Sequence, residues 1–283
     1  MRQYVRKSNT LVTAPYTLTL QEQRVLLCCI AQIPKDVQVT DEVFYTVTIA
    51  DIIRLSGIAS NAAYAELKKA AEGLKRKEVR ISYGPLGEDL DEVLVTNWAQ
   101  TIKLSKKGGT IGIRFPKDLL PYLTELNKQY TYYALADAMK MSSIYSIRLY
   151  EFIRSWRKAG KADLSLVELR DMFELHNKYP EYYEVKRRVL DPAIKEINEV
   201  SPMFIMMEPI KDGKTVTGLL FDIQTKEPTQ GELPGLETPA AALETTKPRP
   251  VTEAELSRLA FPGESLEDAL RRLNVKLKPK RNQ

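Results

Sequence analysis

The stretch YYEVKRRVLDPAIKEINEV, residues 182–200, decides how the chain is read. Val185, Val189, Ala193, Ile194 and Ile197 recur at helical spacing and define an inward face. Lys186, Arg187 and Arg188 stand side by side in the N-terminal half, where an ordinary amphipathic helix scatters its cations along a solvated face. Pro192 removes the hydrogen bond to the carbonyl of Arg188 and is expected to kink the helix there. Such a helix can pack one half against a core and tilt the other half toward an anion. Taken alone, it also reads as a plain solvated basic face.

What surrounds the stretch separates these readings. SSIYSIRLYEFIRSWRKAG (142–160) has an apolar stripe of Tyr145, Leu149, Phe152, Ile153 and Trp156, with Arg148, Glu151, Arg154 and Lys158 expected on a polar face. SLVELRDMF (165–173) is a short helix capped by Ser165, with Glu168 as the reciprocal partner. After the opening stretch, MFIMMEPIKDGKTVTGLLFDIQ (203–224) reads as a hairpin turned at Asp212–Gly213.

The same order occurs once before. TLQEQRVLLCCIAQI (19–33) is a helix capped by Thr19 and Glu22, and FYTVTI (44–49) alternates as a strand. TIADIIRLSG (48–57) is a short helix ended by Gly57, and SNAAYAELKKAAEGLKRKE (60–78) a longer basic one. Strand-like runs follow at EVRISYG (78–84), VLVTNWAQTIKLS (93–105) and TIGIRF (110–115). A shift of 119 residues superposes the two long helices, placing Tyr64 on Tyr183, Lys68 on Arg187, Lys69 on Arg188 and Glu72 on Asp191. The expected fold class is α+β: two tandem winged-helix domains related by internal pseudo-symmetry, plus a flexible C-terminal tail. The third helix of each is then free to enter a major groove. The divisions fall at 1–135, 136–226 and 227–283.

Composition agrees with an anionic partner. The chain carries 42 Lys and Arg against 37 Asp and Glu, a net +5. Residues 140–161 hold six cations against one anion, and residues 61–80 six against three. The longest apolar run, VLLCCIA (25–31), is far too short for a bilayer, and the N-terminal residues show cations without an apolar signal region. The expectation is a cytoplasmic protein with no membrane partner. Cys28 and Cys29, adjacent on one helix, form neither a metal clip nor a disulfide framework and read as small buried residues.

NTLVTAPYTLTLQEQRVLLCCIAQI (9–33), the run 142–175, and YPEYYEVKRRVLDPAIKEIN (179–198) together resemble the iteron-binding plasmid replication initiators, over roughly residues 8–225. The resemblance implies monomers that bind direct repeats in double-stranded origin DNA, open the duplex and recruit the host initiator and replicative helicase. It also implies a homodimer, in exchange with the monomer, that binds an inverted-repeat operator and represses its own gene. By position it gives base recognition to Lys186, Arg187 and Arg188, with Arg187 placed first for a guanine contact because its fork can bond O6 and N7 together. A weaker surface falls to Lys68, Lys69 and Asn61, where lysines suit phosphate anchoring better than base reading. Lys211 and Lys214 flank the second hairpin turn and Lys106 and Lys107 a loop of the first domain, each pair a candidate phosphate contact. The resemblance also points to 93–105 as the dimer surface, although Trp98 there reads first as core.

Enzyme chemistry finds no pattern. The one histidine, His176, rules out a His-x-His metal pair and reads as a loop residue. DGKTVTG (212–218) lacks the upstream glycine of a phosphate loop and falls between strands. No Ser/His/Asp set or zinc spacing occurs, so no cofactor is expected. The alternatives are a dedicated operator-binding repressor and a winged-helix module that binds protein. From Glu227 onward the chain holds seven of its 16 prolines and nine cations against nine anions. There, 228–250 reads as a linker. Beyond it, 252–261 and 265–277 read as short helices capped at Thr252 and Ser265, bearing a host factor site or a loose extension.

Overall fold

The structure, a computed structural model, describes residues 3–34, 40–58, 60–105, 107–124, 129–226, 249–251 and 275–277, without the side chains of 60–62, 249–251 and 275–277. Met1–Pro228 form one compact unit and Thr229–Gln283 another. Among the described residues no helix is long and apolar enough to cross a membrane.

The first half opens with β1 (Tyr4–Ser8) and α1 (Asn9–Thr13), then α2 (Leu20–Ile30), β2 (Tyr45–Thr48), α3 (Ile49–Ser56) and α4 (Ser60–Leu74). Thr19 and Glu22 form the expected capping box on α2, and Gly57 ends α3 in the left-handed conformation at φ 67°. Helix α2 is buried on nearly every side, and α4 crosses it. The two come so close at Gly73 that a Cβ there would lie 2.2 Å from a carboxylate oxygen of Glu22. Four strands follow: β3 (Glu78–Tyr83), β4 (Asp89–Asn97), β5 (Thr101–Ser105) and β6 (Thr110–Arg114).

The run 93–105, read from sequence as one strand, is two. Among the described residues β4 pairs with β3 alone, whereas β5 joins the sheet β2-β6-β5. The chain turns between them because Trp98 dives into the core, fully buried, with Tyr16 edge-on to its ring at 4.7 Å. Burying an aromatic of this size contributes about 3 kcal/mol, more than a continued strand register would return.

After β7 (Tyr130–Ala134), which pairs antiparallel with β1, and α5 (Leu135–Met139), the second half repeats the plan. It runs α6 (Ile144–Ser155), β8 (Lys161–Ser165), α7 (Leu166–Phe173), α8 (Tyr182–Val185), a π-helical turn (Lys186–Leu190), α9 (Asp191–Val200), β9 (Met203–Asp212) and β10 (Thr215–Thr225). Ser165 and Glu168 make the predicted capping box on α7. The sheet β8-β10-β9 corresponds to β2-β6-β5: in each, a strand runs straight into a capped helix and then pairs with the far strand of the wing. Among the described residues the β3–β4 hairpin has no counterpart in the second half. These are two winged helices in tandem.

In the unit from Thr229, Arg249–Val251 (β11) and Val275–Leu277 (β12) pair in parallel. This corrects the sequence reading at both places, which put 249–250 in a linker and 275–277 at the end of a helix. Thr252, Ser265 and the rest of the two expected helices lie outside the described residues.

Candidate nucleic-acid interface

In the second winged helix, α8, the π-helical turn and α9 run on as one helix. Val185, Val189, Leu190, Ala193 and Ile197 are buried and Ile194 half-buried, as the spacing predicted. Proline acts here by widening: Asp191 N–H bonds back five residues to the carbonyl of Lys186, so the turn just before Pro192 is π-helical. The three cations sit in that turn, on the side away from the core.

They are not equivalent. The Lys186 ammonium lies 2.7 Å from both carboxylate oxygens of Asp191, so its charge is already engaged. Arg187 and Arg188 are exposed, and each guanidinium stands 5.6 Å from a tyrosine ring centre, Arg187 at Tyr183 and Arg188 at Tyr179. Stacking on an aromatic face restrains a long side chain while leaving its N–H groups free to donate.

Tyr179 is itself held, and sequence reasoning missed how. Arg170 on α7 donates to the carbonyls of Tyr179 and Pro180, both at 2.8 Å, and of Leu175 and Lys178, both at 3.3 Å. One side chain thus gathers the loop that feeds the helix and fixes Tyr179, whose backbone is left-handed at φ 53°. The only local hint was a lone arginine on a short helix beside a proline-bearing loop. His176 in that loop lies 3.1 Å from Asp171.

In the first winged helix, Lys69 is exposed and Lys68 half-exposed, 3.8 Å from Glu72 one turn on. The side chain of Asn61 lies outside the described residues, although its backbone is in the first turn of α4. Lys211 and Lys214 are exposed on either side of a turn carried by Gly213 at φ 58°. By sheet topology the equivalent turn joins β5 to β6; Lys107 there is exposed, and Lys106 lies outside the described residues.

Part of the basic charge counted in 140–161 is not at the surface. Arg148 and Glu151, expected on a solvated face of α6, are almost wholly buried, while Trp156, expected inward, is 42% exposed. Burial lowers the pKa of the Arg148 guanidinium from its ordinary value, against the raising effect of Tyr16, Glu151 and Glu174. Helix α6 packs on α9, α1 and β7, and every residue from Ser146 to Ile153 is buried, so it has no free face in its middle. Cys28 and Cys29 are buried, and burial pushes the Cys28 thiol up to about 12, which removes it from thiolate chemistry at neutral pH.

Fold and site together define a tandem winged-helix protein with a basic, aromatic-backed helix in its second half. Residues 4–154 match the family model described as initiator replication protein, WH1, and residues 165–223 that described as initiator Rep protein, WH2. The chain belongs to this initiator replication protein family. A replication initiation protein of Escherichia coli is 29% identical over 227 residues, covering 78% of this chain and 69% of the relative. The PI protein of Escherichia coli is 23% identical over 253 residues, covering 79% and 83%. Among solved structures, Pi initiator protein in complex with iteron DNA superposes with a TM-score of 0.68 at 23% identity, covering 80% of this chain and 99% of that one.

Proposed function

We propose that this chain is a plasmid replication initiator that binds direct repeats in duplex origin DNA as a monomer, promotes origin opening and recruits the host initiator and helicase. The observation that carries the reading is the exposed Arg187–Arg188 pair, backed by tyrosines, on the third helix of the second winged helix. Arg187 reads a guanine; Arg188 and Lys186 flank it; Lys68, Lys69 and Asn61 anchor phosphate in a neighbouring groove, with Lys211 and Lys214 on the wing. The domain boundaries of this reading are 1–135, 136–226 and 227–283. The protein acts by binding and not by catalysis, in the cytoplasm.

The complex of Pi initiator protein with iteron DNA, which shares the fold, supports the choice of ligand. A dimeric state that represses the protein's own gene fits β4, which has β3 as its one sheet partner among the described residues and exposes Val93 and Val95. The test is a selection of bound duplexes from fragments of the encoding replicon, repeated with Arg187→Ala. Tandem direct repeats that the variant fails to recover are the expected result. A lone inverted repeat would make the chain a dedicated repressor, and no enrichment at low salt would end the DNA reading. Neutralising about six phosphates gives a log K against log salt slope of about −5, steeper than a protein interface shows.

A further inference from the structure

The two winged helices meet across α6, and the junction is polar where a core would be apolar. Lys7 on β1 lies 2.6 Å from Glu151 on α6, both side chains fully buried. Tyr133 on β7 donates its hydroxyl to the same carboxylate oxygen. One turn earlier, Arg148 donates to the carbonyls of Ala14 at 2.7 Å, Tyr16 at 2.8 Å and Val12 at 3.4 Å. One turn later, Arg154 donates to the carbonyl of Tyr132 at 2.9 Å. Three consecutive turns of α6 are therefore tied to the first half, by hydrogen bonds from Arg148 to the carbonyls of Val12, Ala14 and Tyr16, from Tyr133 and to Tyr132 on β7, and by an ion pair to β1. Helix α6 also packs on α9, the continuation of the helix that carries Arg187.

Buried charges of this kind seldom add stability over well-packed apolar residues; their best-attested use is to fix registry. Apolar surfaces slide past one another at small cost, because area changes gradually. A buried ion pair and a guanidinium on three carbonyls do not, because displacement leaves desolvated groups unpaired. We infer that Lys7, Arg148, Glu151 and Tyr133 are positioning residues that set the distance and angle between the two DNA-contacting helices, and so make the protein selective for the spacing of the two halves of its site. This rests on the reading that both helices contact one site. Inserting one base pair between the halves shifts them by about 3.4 Å and rotates them by about 35°, which a rigid junction cannot follow.

The experiment uses the full chain and its preferred duplex, with a single base pair inserted at each position in turn. Wild type is expected to lose about 30-fold in affinity at insertions between the two footprints, as for one or two lost base contacts. The triple variant Lys7→Met/Arg148→Met/Glu151→Leu, which replaces the charges by apolar volume, is expected to lose less than about 5-fold at the same positions. Its ratio between the two duplexes is the readout, since general destabilisation lowers both affinities alike. If that variant does not fold, the milder pair Tyr133→Phe/Arg148→Lys is read in the same way and is expected to fall between the two. Spacing discrimination that survives in the folded variant, or that wild type lacks while binding its site tightly, overturns the ruler and leaves the DNA reading intact. Failure of wild type to prefer any duplex removes both.

Discussion

The third helices of the two winged helices occupy the same place in the same fold and carry different chemistry. In the second, Arg187 and Arg188 are exposed guanidiniums, each beside a tyrosine ring, on a π-helical turn whose entrance loop is gathered by Arg170. In the first, Lys68 and Lys69 lie on an ordinary helix, one of them facing Glu72 one turn away. A pre-oriented fork suits the paired acceptors of a base edge, and a mobile point charge suits a phosphate. One scaffold occurs twice, and under the proposed reading its two side-chain sets divide base reading from phosphate holding.

The sharpest way to break this contrast is to remove the fork. Arg187→Ala is expected to cost about 1–3 kcal/mol on the preferred site and to relax one base position, with little change on random duplex. Equal losses on both duplexes, measured by equilibrium titration, would put Arg187 in the same class as the lysines.

Next come the caps, which the two halves share. Ser165→Ala and Thr48→Ala should each cost about 1 kcal/mol in denaturant unfolding. The second should also depend on pH. Hydrogen bonds from Arg54 and Thr48 hold Asp51 below the usual carboxylate range, so the stability it contributes is complete above about pH 4 and is lost as pH falls through the lowered value. The Thr48→Ala penalty should therefore shrink in acid.

A smaller effect sharpens the role of the rings. Tyr183→Ala should cost about 0.5–1 kcal/mol of specific binding by freeing Arg187, while Tyr64→Ala, at the matching position of α4, should cost none. Last, Lys68→Ala should weaken every duplex alike and flatten the salt dependence by about one unit. A sequence-dependent loss there would give the first helix a reading role after all.

The duplicated plan was legible because it is written locally. Thr19 with Glu22 and Ser165 with Glu168 mark helix starts, and Val185, Val189, Ala193 and Ile197 mark the inward face. The candidate cations were legible for the same reason: they are adjacent. What escaped is written at long range. Periodicity says that α6 has a polar side, not whether that side meets water or Lys7, Tyr133 and the 12–16 carbonyls. A run of strand formers across 93–105 likewise does not reveal that Trp98 leaves it for the core. The backing of Arg188 by Tyr179 depends on Arg170 collecting a loop, which no spacing rule announces.

The pairing of Lys7 with Glu151 also sets an order in time. A ribosome releases Lys7 early and Glu151 only after the whole first winged helix has emerged, a wait of roughly 7–29 s at about 5–20 residues per second. β7 is released before Glu151, so β1 can have its strand partner while the ammonium, destined for full burial, still has no counter-charge. The Lys7–Glu151 pair therefore cannot close while the first winged helix is being made. It closes only once α6, the first helix of the second winged helix, has been made.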